Sequence, residues 1–361
     1  MNKNRKLVLE NGKVFEGYGF GGSKEIINEL VFNTSVVGYQ EILSDPKNYQ
    51  KVMCLTYPVI GNYGLNDEDF ESKGLTVSGL IVREYNDIPS NFRFTYELSE
   101  VMSENEISGI YDVDTREITR IIREEGVMKA MICDINKPLE DCLKEINEYV
   151  IDENYISNVS SKKVWYSRTT NPLYNVVAID CGIKKSLVKI LNKVGCNVIV
   201  VPFNISKEQI LKYKPNGLLI SDGPGNPNLY TEVIKLINEL KGEVPIYGIG
   251  TGMSLISLAY GADVVKQKVG HNGSNYPVKE LRTNKIEITS QNDLYSIDDS
   301  SISSTGLKSI FVNVIDNKIK GIIDRTNNVL GIEYDLSNEN CKEDASLNKF
   351  LDLMKKAGRN K

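Results

Sequence analysis

The sequence predicts an α/β protein of two domains: a mixed α/β N-terminal domain, then a domain built on a mostly parallel sheet. Three observations predict it. The chain has 361 residues, beyond the roughly 250–300 at which a single hydrophobic core stops growing. From Asn175 onward, apolar strands alternate with helical patterns, the signature of a sheet covered on both faces. Within that half, Val244-Pro245-Ile246-Tyr247-Gly248-Ile249-Gly250-Thr251-Gly252-Met253-Ser254-Leu255-Ile256 reads as a buried strand, a glycine turn and a helix. Many α/β folds present a nucleophile at such a turn. The tip here, Gly250, has no side chain.

In chain order, apolar positions flank Asn11-Gly12 across residues 6–20, a hairpin signal. Strands are expected over Glu29–Thr34, Gln50–Thr56 and Gly74–Glu84. A loop with a short helical turn, ended by Pro46, lies between the first two. Phe92–Glu104 and Asp114–Glu125 have helical spacing, the second with Asp114 as cap and Ile118, Ile121 and Ile122 as its apolar stripe. Met128–Cys133 returns as a strand and 138–150 as a helix. These elements make a domain over 1–151, followed by a polar linker over 152–173.

The second domain, 174–361, opens with the strand Asn175–Asp180 and a helix from Lys184 to Val194. Asn197–Pro202 is the next strand. Ser206 and Gln209 then form a capping box on a short helix. The strand Gly217–Ser221 runs into Asp222-Gly223-Pro224-Gly225-Asn226-Pro227, and a helix spans Tyr230–Leu240. Beyond the glycine turn, strands are expected at Lys285–Thr289, Lys308–Ile315 and Ile319–Asp324, with a final helix over 344–357.

Composition narrows the function. An apolar fraction of 41%, a charged fraction of 25% and a net charge of -5 describe an ordinary globule and argue against nucleic acid as a partner. Neither a signal segment nor an apolar stretch of membrane length is present, which predicts no membrane and a cytoplasmic location. Cys54, Cys133, Cys142, Cys181, Cys196 and Cys341 lack C-x-x-C spacing and are expected as reduced, buried thiols. His271 is the only histidine, so no mechanism can draw two imidazoles from this chain.

Loops at strand C-terminal ends are where open α/β sheets bind ligands. Three fall there: 222–227, 248–252 and 334–341. Glycines in the first two can bring backbone N–H groups to an anion or a developing oxyanion. Thr251 or Ser254 as nucleophile lacks a base, because His271 lies in a Gly- and Asn-rich stretch that reads as a turn. Asp222, Asp293 and Asp335 have the chemistry to hold a hard cation, but their spacing does not demand one.

Further motifs carry a resemblance along nearly the whole chain. In the first half they are Gly38-Tyr39-Gln40-Glu41-Ile42-Leu43, Leu55-Thr56-Tyr57-Pro58-Val59-Ile60-Gly61-Asn62-Tyr63-Gly64 and Asp114-Thr115-Arg116-Glu117-Ile118-Thr119-Arg120. In the second half they are Ser221-Asp222-Gly223-Pro224-Gly225, Gly270-His271-Asn272-Gly273-Ser274-Asn275-Tyr276-Pro277-Val278 and Ser290-Gln291-Asn292. The chain resembles the small, glutamine-hydrolysing subunit of carbamoyl-phosphate synthase. That resemblance implies a small-subunit N-terminal domain followed by a class I glutamine amidotransferase-like domain. It also implies a large synthetase subunit as partner, to which ATP and Mg would belong, with no cofactor in this chain.

The resemblance also implies a Cys–His–Glu triad, and the matching positions depart from it. The family's elbow, Gly-Ile-Cys-Leu-Gly-His-Gln, falls on Gly248–Ser254, so Gly250 stands at the nucleophile. Its His-Pro-Glu run falls on Asp335-Leu336-Ser337. Of the implied glutamine pocket, Gly223, Gly225 and Asn292 remain, while Lys47, Thr251, Ser254, Leu294 and Tyr295 are changed. The expectation is a catalytically dead homologue that docks on a large subunit fed by free ammonia. Three alternatives stand beside it: a regulatory or small-molecule-binding paralogue, an enzyme of changed chemistry using Asp335, Asp293 or Lys47, and, by overall similarity, a glutamine-hydrolysing small chain.

Overall fold

The computed structural model describes residues 2–337 and 341–359. It divides into two compact units, Met1–Asp152 and Glu153–Lys361.

In the first unit a closed barrel runs in the order Arg5–Leu9, Val14–Gly21, Ser108–Tyr111, Gly79–Ile81, Val52–Leu55, Ile26–Asn33 and Met128–Asp134, the last pairing back to the first. Closure leaves no strand edge unpaired. The Asn11-Gly12 hairpin forms as expected, with Leu7 opposite Phe15. The helix Thr115–Glu125 buries Ile118, Ile121 and Ile122, and the Asp114 side chain accepts from the N–H groups of Arg116 (3.1 Å) and Glu117 (3.0 Å). Removing this cap in Asp114→Ala should cost about 1 kcal/mol of first-unit stability, with Asp114→Asn near silent. Urea titration of the two variants checks it.

The expected helix over Phe92–Glu104 is shorter than its spacing suggested. Only Leu98–Glu104 is helical, and Tyr96 is bridged to Leu65 instead. Phe92 is 96% exposed, so the apolar residues that extended the pattern belong to a surface loop.

The second unit is a ten-stranded sheet among the described residues, in the order Trp165–Ser167, Cys196–Pro202, Tyr174–Asp180, Gly217–Ile220, Ile246–Ile249, Val329–Ile332, Ile319–Asp324, Lys308–Asn313, Val264–Glu280 and Ile286–Ile297. The pairs from Cys196–Pro202 through Val329–Ile332 are parallel. Strands beyond them on either side are antiparallel. Apolar clusters cover both faces of the parallel core: Val177, Ile179, Leu218, Ile246 and Met253 on one, Val176, Ala178, Leu219, Tyr247 and Leu330 on the other. This alternation is what an α/β strand with two covered faces requires. The Ser206–Gln209 capping box is present.

Two stretches differ from expectation. The supposed linker contains the helix Ile156–Val159 and the edge strand Trp165–Ser167, antiparallel to Cys196–Pro202. An exposed edge strand has no core face to impose alternation, so it left no period-2 signal. The Gly270–Asn275 stretch is not a turn. It lies inside the strand Val264–Glu280, whose pairing shifts register between Lys266 and His271 and again between Gly273 and Tyr276.

Candidate active site

The site is built on the central strand Ile246–Ile249, held between Gly217–Ile220 and Val329–Ile332. Its residues are fully or almost fully buried. Gly250 follows with φ 57 and ψ -121, and its N–H donates to the Ile332 carbonyl at 2.8 Å. A side chain is strained in that conformation. The helix Thr251–Ala259 starts at once. Gly252 lets its first turn lie against the backbone of Ile220, where a Cβ has no room.

The loop after Gly217–Ile220 meets this turn. One oxygen of Asp222, Oδ1, accepts from the backbone N–H of Thr251 at 2.7 Å and of Gly223 at 2.9 Å. Thr251 Oγ1 donates to the Gly223 carbonyl at 2.7 Å, which ties loop and helix together. Asp222 is 5% exposed. A Cβ built on Gly250 would land on the Asp222 carboxylate, so the volume of the missing side chain is filled. Burial pushes the Cys181 thiol and the Tyr230 phenol well up, and the charge of Asp222 adds to both. Ser254 lies one helical turn on, buried, with its hydroxyl 3.5 Å from Glu333 Oε2.

Sequence inspection missed Glu153. Its carbonyl accepts from Asn226 N–H at 3.1 Å, and its carboxylate accepts from Asn226 Nδ2 and the Tyr295 hydroxyl, both at 3.3 Å. Lys266 pairs with it at 3.2 Å. Glu153 thus joins Gly225, where a Cβ would strike the Glu153 carbonyl, to Tyr295. All its partners are distant in sequence, so no local pattern marked it.

Asp335 forms an ion pair with Lys184 at 2.5 Å and donates its N–H to the Ser290 carbonyl at 2.9 Å. Asp335 and Ser337 line a polar cavity of about 510 Å³ with Ser290 and Glu287; Gly250, Thr251 and Asp222 do not line it. Asn292, Leu294 and Tyr295 lie on the strand Ile286–Ile297, with Leu294 and Tyr295 buried. Lys47 is buried in the first unit, in the 3-10 turn Pro46–Asn48, where its N–H donates to Asp45 at 2.9 Å.

The three aspartates weighed for a cation have separate partners: Asp222 the backbone, Asp335 Lys184, and Asp293 a buried cluster. Asp293 Oδ2 meets Lys320 Nζ at 2.5 Å, while Oδ1 accepts from Gln267 at 2.6 Å and lies 3.0 Å from His271 Nδ1. His271 Nε2 lies 2.9 Å from Asp316. Among the described residues, no group of three or more His, Cys, Asp or Glu is placed to hold a metal. All six cysteines are free and buried. No helix among the described residues is long and apolar enough to cross a membrane.

A buried parallel strand, a positive-φ turn and a helix start facing a second loop's N–H form the frame of an acyl-transfer elbow. The glutamine amidotransferase class-I family matches residues 177–334, which contain that frame. The carbamoyl-phosphate synthase small chain, CPSase domain, matches residues 7–132. The Bacillus subtilis carbamoyl phosphate synthase pyrimidine-specific small chain is 42% identical over 352 residues, 97% of this chain and 96% of its own length. The Fusobacterium nucleatum carbamoyl phosphate synthase small chain is 40% identical over 331 residues, 92% of each. The chain belongs to the carbamoyl-phosphate synthase small-chain family.

These relatives correct the expectation of a catalytically dead homologue. Identity of 38–42% along nine-tenths or more of both chains, to proteins that all carry the small-chain name, favours a working small chain over a pseudoenzyme. The expectation let a few altered positions outweigh the rest of the chain. The residues at positions 250, 335 and 337 do not by themselves set the function.

Proposed function

We propose that this chain works as the glutamine-hydrolysing small chain of a carbamoyl phosphate synthase, paired with that synthase's large chain. The observation that carries this is the 42% identity to a small chain over 97% of the present chain. The amide would enter at the elbow, against Gly223, Gly225, Thr251 and Ser254, with Asn292, Leu294 and Tyr295 on the neighbouring strand. Hydrolysis needs a group that attacks the amide carbon and donors that receive the oxyanion. The N–H groups of Gly223 and Thr251 are suitable donors. Position 250 supplies no thiol, so water is the attacking group. Its oxygen adds to the carbon, the C–N bond breaks with a proton passing to nitrogen, and glutamate and ammonia leave.

The test is ammonia release from glutamine by the purified chain, alone and mixed with its large chain. The expected result is release that rises on mixing. Carbamoyl phosphate formed only when an ammonium salt is added, with no release from glutamine, would overturn the proposal.

A further inference from the structure

We propose that Asp222 is an internal occupant of the oxyanion position, and that a carboxamide is admitted to the elbow only when this carboxylate is displaced. The inference rests on the function proposed above and names what controls access to its site.

The geometry has three parts. The Thr251 and Gly223 N–H groups come from different elements, a helix start and a strand-end loop, yet both bond the same oxygen, Asp222 Oδ1, at 2.7 and 2.9 Å. Two donors converging on one oxygen is the arrangement a tetrahedral oxyanion requires, with donor distances of about 2.7–3.1 Å. The same carboxylate also fills the space above Gly250, where an attacking group and the amide carbon would have to meet. One side chain therefore excludes both the oxyanion and its attacker. Position also favours it: Thr251 is the first residue of the nine-residue helix Thr251–Ala259, where a negative charge is stabilised by the aligned peptide dipoles. Asp222 is a positioning residue with a gating role. In the resting state it is too well bound to its two donors to serve as a base.

Formate reproduces the side chain's carboxylate, so the test is a rescue. Asp222→Ala in the otherwise intact chain should show a thermal midpoint that rises saturably with sodium formate, by several degrees. Formamide, a carboxamide without the charge, should give a smaller rise in Asp222→Ala, and the wild-type chain should not respond to either. An Asp222→Ala response to formate no larger than that of wild type would overturn the proposal. If Asp222→Ala does not fold, Asp222→Asn keeps the acceptor oxygen and removes the charge. Its Thr251 and Gly223 amide protons should then resonate upfield of wild type, and unchanged resonances would overturn the proposal. Both readouts are independent of glutamine. Loss of ammonia release in the wild-type chain would therefore strike the proposed function without mimicking either result. With an active large chain present, Asp222→Ala should lower the KM for glutamine, whereas lost turnover at unchanged KM would assign Asp222 as a base instead.

Discussion

Lys320→Ala is expected to destabilise the second unit by about 3–5 kcal/mol, the range for removing one partner of a buried ion pair. Lys320 is 1% exposed on the strand Ile319–Asp324, and its ammonium meets Asp293 Oδ2 at 2.5 Å. Asp293 is equally buried. Burial alone would raise the Asp293 carboxyl. Lys320 and, after it, His271 more than reverse this and hold it well below the usual carboxylate range. Without Lys320, that carboxylate keeps Gln267 and His271 but loses its nearest cation. It must then either remain charged at high cost or take up a proton.

The pH dependence follows with a definite sign. A carboxyl lower in the folded than in the unfolded chain contributes stability that is complete above the unfolded value, about 3.9, and is lost as pH falls through the folded value. Wild type should therefore lose stability progressively below about pH 4. Lys320→Ala, already deprived of the cause, should show a shallower slope there. Urea midpoints between pH 3 and 7 decide it, and parallel slopes for the two proteins would remove Lys320 as the cause. The double variant Lys320→Met with Asp293→Asn should recover part of the loss, because no uncompensated charge is left buried.

How much of this was legible in sequence depended on whether the signal was local. Asn11-Gly12, the Asp114 cap and the Ser206–Gln209 box act within a few residues and were legible as motifs. The continuous apolar runs at Asn175, Asn197, Gly217 and Val244 marked the parallel core, because both faces of those strands are buried. The strand Val264–Glu280 was illegible. Gly270 at φ 74, Pro277 and two register shifts interrupt its alternation, so a paired strand looked like a turn. The site was legible at its tip and hidden around it. Gly250 and Gly223 sit in recognisable glycine turns. Asp222 reaches Thr251 across 29 positions, and Lys320 reaches Asp293 across 27. Such meetings are created by strand order, which no window of sequence contains. Function was misjudged for a related reason: absent side chains are conspicuous, whereas 42% identity over 352 residues shows at no single position.

Gly250→Cys should destabilise the chain by about 2–5 kcal/mol, combining backbone strain at a positive φ with overpacking. The two terms have different origins and can be separated. Strain belongs to φ 57 itself and persists whatever surrounds the residue. Overpacking comes from Asp222, whose carboxylate occupies the place of the new Cβ. The change to Asp222→Gly removes the second term only. It also leaves the Thr251 and Gly223 N–H groups without their acceptor, which costs stability when made alone. The double variant Gly250→Cys with Asp222→Gly should therefore be more stable than the sum of the single effects predicts, by at least about 1 kcal/mol. A buried thiol can also accept weakly from those freed donors. Urea titrations of the four proteins close the cycle. Strict additivity would show that the introduced side chain finds room without disturbing Asp222, and the carboxylate would then not be the occupant that fills this elbow.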